Sequence, residues 1–233
     1  MVWQTTSSGS PDLLGELPIE LSAWLRSGGR MTVVKKGQAL FEGGAPSDGC
    51  YWLHEGVLKL SGASNHGAER ILAIYGAGSL VGVSTAIDGV PRAASICALR
   101  DSSLTFFARG TFLEYLNGSP SLYGYLVKTL SSRLRHANDE IMAASFLSLR
   151  SRVARALLKF AEHLGEPTVE PDYVLIRELR QEDVAALADV ARESVSRILS
   201  EWRRRRLIVP QTPSVYIIRR STLEREAGVT SRA

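Results

Sequence analysis

Arg192, Glu193, Ser196 and Arg197 stand at i, i+1, i+4 and i+5 of the segment ARESVSRILSEWRRRR, whose Val195, Ile198 and Leu199 mark the other face of a helix. One surface thus carries two guanidinium forks, a carboxylate and a hydroxyl. That set suits base edges: arginine bonds bidentately to guanine N7 and O6 and glutamate accepts from cytosine N4, each good pair discriminating by ~1–3 kcal/mol. The bland alternative for Glu193 and Arg197 is an i,i+4 helix salt bridge worth only ~0.3–0.5 kcal/mol, which would also orient both groups.

Such a surface needs a support. Leu179, Val184, Leu187 and Val190 fall near one helical face, and the break at Asp189-Val190-Ala191 separates them from the series that starts at Val195. Two helices around a tight turn form a helix-turn-helix, with double-stranded DNA as its partner. Arg180 and Gln181 open the first helix, and Arg203, Arg204 and Arg205 follow the second; all five are candidate phosphate contacts, the bland reading of the arginine run being a solvated helix face. Upstream, RSRVARALLKFAEHLG is amphipathic, Gly165 to Asp172 reads as a loop and Tyr173 to Glu178 as a strand. Downstream, RLIVPQTPSVYIIRR alternates as two strands around Gln211 to Ser214, a wing. Residues 147–233 are therefore expected to be a winged helix-turn-helix. They hold 16 Lys+Arg against 12 Asp+Glu, whereas residues 1–146 balance at 12 and 12, so the whole excess of +4 lies in the last third.

The remainder reads as a scaffold. From Met31 to Arg109, short β-rich runs alternate with glycines (MTVVKKG, ALFEGG, CYWLHEGVLKLSG, ERILAIYGAGSLVG, AASICALRDSSLTFFARG), which predicts an antiparallel barrel or sandwich, with SGASNHG, Ser61 to Gly67, as a hairpin loop. Residues 1–12 are expected to be disordered, Leu13 to Leu25 to be a short helix with Pro18 at its start, and 13–118 to form the barrel domain. In residues 119–146, Leu122, Leu126, Leu130 and Leu134 recur every four positions, with Tyr125, Ile141 and Met142 extending the stripe, so one long helix of about seven turns is expected. A small barrel cannot cover a helix that long, and a palindromic DNA target needs two reading helices, so a homodimer is expected along it. No apolar run approaches a membrane span and the N-terminus lacks a basic segment followed by an apolar one, which points to the cytoplasm. Cys50 and Cys97 form no CxxC pair; Cys97 is expected in the core and Cys50, beside a turn, as the thiol open to redox chemistry.

In this order, the segments VKKGQALFEGGAPSDGCYWLHEGVLKL, GAGSLVGVSTAIDGVPRAAS, FLSLRSRVARALL and RESVSRILSEWRRRRLI resemble the Crp/Fnr superfamily, that of the cyclic-AMP receptor protein and the fumarate and nitrate reduction regulator, over nearly the whole chain. The resemblance implies an α+β architecture: a cyclic-nucleotide-binding-like jelly roll, a dimerisation helix and a winged helix-turn-helix. It implies a transcription regulator rather than an enzyme, with RNA polymerase as a further partner and half-sites close to TTGA or TGTGA. Glu193 would then accept from the cytosine opposite a guanine, Arg197 would donate to guanine or a neighbouring acceptor, Ser196 would favour thymine, and Arg192 would read another guanine or grip phosphate. Two local departures stand out: Ala191 takes the place of the serine that usually caps the reading helix, and Asp189 that of the turn glycine.

The effector pocket departs further. Where the family's cyclic-AMP site has a Gly-Glu step, this chain has Gly82-Val83; Arg92 remains as an anion partner, but the serine after it is Ala93, and the Thr-Ser pair of the long helix is Ala137-Asn138. Three polar contacts vanish together, at ~1–3 kcal/mol each, which argues against tight cyclic-AMP binding and leaves Arg92 a structural ion pair or a ligand for another anion. Two cysteines are too few for an iron–sulfur cluster. No cofactor is expected, although His54, His66, His136 or Cys97 leave haem sensing open as an alternative, as is a cyclic-nucleotide-responsive member of the family. A cupin-type metal enzyme would need clustered histidines, and the four here are scattered; no metal ligands are assigned.

Overall fold

The computed structural model describes residues 24–25, 28–63, 68–212 and 215–228. The expected disorder of 1–12, the helix of 13–25 except for Trp24 and Leu25, and the tip of the hairpin loop at 64–67 lie outside the described residues. The chain divides into two compact units, one containing 11–62 and 72–136, the other 63–71 and 137–233.

In the first unit eight strands make two four-stranded antiparallel sheets. One has the order β1 (Arg30–Val34), β8 (Ser102–Ala108), β3 (Gly49–Glu55), β6 (Leu80–Val81); the other has β2 (Ala39–Phe41), β7 (Ser95–Ala98), β4 (Leu58–Ala63), β5 (Glu69–Tyr75). The period of two in a strand sorts β3 cleanly. Tyr51 and Leu53 point into the roll with Val34, Leu58, Tyr75, Val81, Ile96 and Leu104, while Cys50 and Trp52 point outward. The outward side is covered by α1 (Val83–Asp88), α2 (Arg109–Gly118) and the start of α3 (Pro120–Phe146), through Ala86, Phe112, Leu116, Leu122 and Leu126. Both faces of β3 are therefore buried.

The sequence pattern predicts a barrel that passes directly into the long helix, whereas α1 and α2 intervene. It also casts the leucines of α3 as one stripe. Steps of four residues advance 400° at 100° per residue, so each leucine runs ahead of the last by about 40° and three steps rotate the row by roughly 120°. Leu122 and Leu126 are buried, whereas Leu134 is 63% exposed. A second row emerges instead: Val127, Leu134 and Ile141, seven residues apart, are each more than 60% exposed, with Tyr123 beside them.

In the second unit α4 (Leu149–Leu164) begins at Ser148, whose hydroxyl accepts from the Ser151 amide at 3.1 Å, and buries Val153, Leu157, Phe160 and Leu164. It supports α5 (Gln181–Ala188), α6 (Arg192–Arg204) and a sheet of order β11 (Ile208–Thr212), β12 (Val215–Arg219), β10 (Tyr173–Ile176), β9 (Gly165–Pro167), followed by α7 (Arg220–Glu226). Gly165–Pro167, expected as loop, pairs with β10. The segment lacks β-branched residues, and register with Val174 to Ile176 rather than its own propensity makes it a strand.

Asp172 joins the start of β10 to α7. Its carboxylate accepts from the Ser221 amide (2.8 Å), the Ser221 hydroxyl (2.7 Å) and Arg219 Nε (2.8 Å), bonds that hold its pKa down to about 2. A depressed carboxyl stabilises the fold above its unfolded value and loses that contribution as pH falls. Asp172→Asn should therefore lower stability by about 1 kcal/mol at neutral pH, a modest figure because the partly exposed group is screened. Denaturant unfolding should show a constant gap from the wild type down to about pH 4 that closes by about pH 2; a gap that persists at pH 2 would contradict the assignment.

Candidate nucleic-acid interface

Helix α6 has one buried edge, Val195, Leu199 and Trp202 at i, i+4 and i+7, and Trp202 has no exposed surface. Arg192, Glu193, Ser196 and Arg197 all fall on the exposed side, as the spacing predicts. Ser200, four residues beyond Ser196, continues that side and was not singled out in the sequence, although its position one turn on was readable. Among the described residues the Glu193 carboxylate makes no ion pair, so the alternative of an i,i+4 bridge to Arg197 is not formed. Arg197 donates to the Ser194 hydroxyl at 3.1 Å and to the Glu193 carbonyl at 3.4 Å. These bonds lay the guanidinium along the helix and leave the carboxylate outward. Arg192 Nε meets Glu182 of α5 at 3.0 Å, with both side chains more than half exposed.

The turn is built as the sequence suggests. Asp189 adopts φ 55 and ψ 50, the left-handed conformation, and its amide donates to Ala185 O. Ala191 supplies no side-chain cap to α6.

The candidate phosphate contacts separate. Arg180 spends Nε and Nη2 on Asp183, at 2.9 and 3.2 Å, and so straps the first turn of α5, whose first residue is the partly buried Gln181. Arg203 is half-buried and its Nε is enclosed without a partner among the described residues. Arg205 lies between Glu226 (3.3 Å) and Glu201 (3.7 Å). The same two carboxylates hold Arg150 of α4. Only Arg204 of this trio is exposed on the helix without being drawn into that network. The wing is exposed from Val209 to Thr212, and Pro210 lies on an edge strand, where its missing N–H costs no ladder bond; residues 213 and 214 of the expected turn lie outside the described residues.

In the barrel, Arg92 is 3% exposed; both of its Nη groups are bonded within the chain, while its Nε is enclosed without a partner among the described residues. Nη2 donates to Asp48 Oδ1 (2.9 Å) and Gly49 O (2.8 Å), Nη1 to Thr85 Oγ1 (2.9 Å) and Gly82 O (3.2 Å), and the guanidinium stacks on Phe41 at 4.2 Å. Gly82, at φ 75, permits this approach: a Cβ there would lie 2.6 Å from Nη1. Val83 turns into the apolar layer under β3, Ala93 is exposed, and Asn138 is exposed on the part of α3 that belongs to the other unit.

The cysteines exchange their expected roles. Cys50 is fully buried beside Trp52, and burial pushes its thiol up to about 12, which suppresses thiolate chemistry; Cys97 is the partly exposed one. His54 is bonded to Thr105 Oγ1 at 2.7 Å. Among the described residues no group of three or more His, Cys, Asp or Glu could hold a metal, and no helix is long and apolar enough to cross a membrane.

Comparison with known proteins agrees with this geometry. Residues 31–119 match the cyclic nucleotide-binding domain and residues 151–226 the Crp-like helix-turn-helix domain. A cyclic AMP receptor protein of Thermus thermophilus is 32% identical over 191 residues, which cover 82% of this chain and 84% of that one. A CRP-like cAMP-activated global transcriptional regulator of Mycobacterium tuberculosis is 28% identical over 193 residues, 82% and 85% of the two chains. Among solved structures, a CRP/FNR-family transcriptional regulator of Thermus thermophilus superimposes with a TM-score of 0.73 at 23% identity over 88% of this chain and all of that one. With both domains matched, and in the same order, the chain belongs to the Crp/Fnr family of transcription regulators.

Proposed function

We propose that the chain is a homodimeric, sequence-specific DNA-binding regulator of the cytoplasm that reads a pseudo-palindrome with TTGA- or TGTGA-like half-sites and does so without cyclic AMP. Its working parts are a barrel over 13–118, a dimerisation helix over 119–146 and a reading domain over 147–233, with RNA polymerase as the machine it acts upon. The observation that carries the reading is the exposed side of α6, where Arg192, Glu193, Ser196 and Arg197 stand clear of an edge anchored by Trp202. Arg180, Gln181, Arg203, Arg204 and Arg205 surround that face as phosphate contacts, with Arg204 the least committed to partners within the chain. Glu193→Ala should lower the preference for the specific site over random duplex by roughly 10- to 100-fold, while random-duplex affinity changes little. Arg204→Ala should weaken both alike and flatten the salt slope by about one unit. Competition binding at several salt concentrations measures both; equal losses on the two duplexes for Glu193→Ala would remove its assigned role.

Dimerisation is supported by the sevenfold row on α3. Three large apolar side chains, Val127, Leu134 and Ile141, face solvent in the isolated chain at heptad spacing, the pattern by which paired helices bury a seam. Joining two copies there would present two α6 helices to successive major grooves about 34 Å apart. Leu134→Glu with Ile141→Glu should leave helix content intact but give a monomer in sedimentation and weaken specific-site binding by at least about 100-fold, since each half-site must then be held alone.

Independence from cyclic AMP is supported by the surroundings of Arg92. Relatives whose names include cyclic AMP are 25–32% identical, yet here both Nη groups of the cassette arginine are already held by Asp48, two carbonyls and Thr85, and Val83 offers no carboxylate. An incoming cyclic phosphate would have to break those bonds first. Calorimetric titration with cyclic AMP and cyclic GMP should give no binding tighter than about 1 mM. A micromolar isotherm would replace this reading with a nucleotide-responsive one.

A further inference from the structure

The carboxylate of Asp189 receives two arginines from different elements. Arg152 Nη1 of α4 approaches it to 3.6 Å, and the Arg70 guanidinium, from the β4–β5 hairpin end that belongs to the same compact unit, forms an ion pair with it. Arg152 is largely buried, at 13% side-chain exposure, and Asp189 is half-exposed. The contact is one end of a longer arrangement. Arg152, Arg155 and Lys159 stand at i, i+3 and i+7 on α4, one row along the helix. Arg155 and Lys159 hold Glu140 of α3 at 3.2 and 2.7 Å. Burial by itself would raise the Glu140 carboxyl, but Lys159 and Arg155 outweigh it and hold it below the usual range. One basic row thus grips two carboxylates, one on the long helix and one in the turn that introduces the reading helix.

That turn has few other restraints. Ala191 gives α6 no side-chain cap, so the amides of its first turn rely on main-chain bonds such as Ser194 N to Ala191 O (2.9 Å). The Arg192–Glu182 pair is exposed on both sides and restrains little. Asp189, in a left-handed conformation that a glycine would occupy at lower cost, is the only residue of the three-residue turn with a charged side chain. The backbone gains nothing from an aspartate there; the side chain does.

We propose that Asp189 is a positioning residue for base reading: clamped between Arg152 and Arg70, it fixes the turn that presents Arg192 and Glu193. This rests on the DNA-reading function proposed above.

The experiment compares the full-length wild type with Asp189→Asn, Asp189→Gly and Arg70→Met in two measurements. One is amide hydrogen exchange of residues 190–194 without DNA; the other is the affinity ratio between the wild type's selected site and random duplex. Asn keeps the tolerance for the left-handed backbone without the charge, and Gly relaxes the backbone altogether. All three variants should speed exchange in that turn and lower the affinity ratio by about three- to tenfold, with random-duplex affinity unchanged. Wild-type behaviour of Asp189→Gly in both measurements would reduce Asp189 to a backbone requirement and overturn the clamp. Unchanged exchange in every variant would overturn it too. If the wild type prefers no duplex, the DNA-reading function fails while the exchange data still decide the clamp.

Discussion

Trp202 is the anchor on which the reading surface depends. A helix can present one side to a ligand only if its other side is fixed, and α6 has just three fully buried side chains to do this, Val195, Leu199 and Trp202. Burying an indole of ~200 Å² at about 25 cal/mol per Å² stabilises by roughly 5 kcal/mol. Its Nε1–H is enclosed without a partner among the described residues, a cost of ~1–3 kcal/mol. Burial wins, and the margin explains why so polar a helix stays docked. Arg150, whose guanidinium lies 5.9 Å from the indole ring centroid, also links Glu201 of α6 to Glu226 of α7, so the charged network encloses the same anchor.

The barrel reaches a comparable economy around Arg92. A buried guanidinium without partners would be costly, and this one is supplied from within: a carboxylate, two carbonyls, a hydroxyl and an aromatic face. Two glycines make the cage geometrically possible, since a Cβ at Gly82 would touch the guanidinium and one at Gly49 would fall 2.0 Å from Phe107 O.

What was legible in the sequence follows from where pattern and physics coincide. The buried and exposed sides of α6 were legible because Val195, Leu199, Arg192, Glu193, Ser196 and Arg197 keep strict helical phase, and the left-handed turn at Asp189 because an aspartate in a glycine's place tolerates that conformation. Helix α2 was hidden because FFARGTFLEYL carries the aromatic and β-branched residues of a strand, and only packing of Phe112 and Leu116 decides for helix. The leucine row of α3 divides between buried Leu122 and Leu126 and exposed Leu134, because a four-residue step drifts around the helix, while a seven-residue step links Val127, Leu134 and Ile141 on the exposed side. The burial of Cys50 is not legible in the sequence, because only the fold shows that β3 is covered on both sides. No spacing rule would have revealed Asp48 as the partner of Arg92, forty-four residues away.

Charge content misleads in the same manner. The positive excess of residues 147–233 suggested a basic surface, yet at least ten of their sixteen cations, Arg150, Arg152, Arg155, Lys159, Arg177, Arg180, Arg192, Arg205, Arg219 and Arg220, are paired with carboxylates. Pairing alone does not withdraw an arginine from function; burial decides. Arg192 and Glu182 are both more than half exposed, and such a bridge is worth only ~0–1 kcal/mol, less than the ~1–3 kcal/mol of a bidentate guanine contact, so Arg192 can exchange partners at a profit. Arg92, with 1% of its side chain exposed, would have to surrender four hydrogen bonds. Solvent access thus separates two arginines of identical chemistry: Arg192 stands on the exposed side of α6, and Arg92 is held inside the barrel.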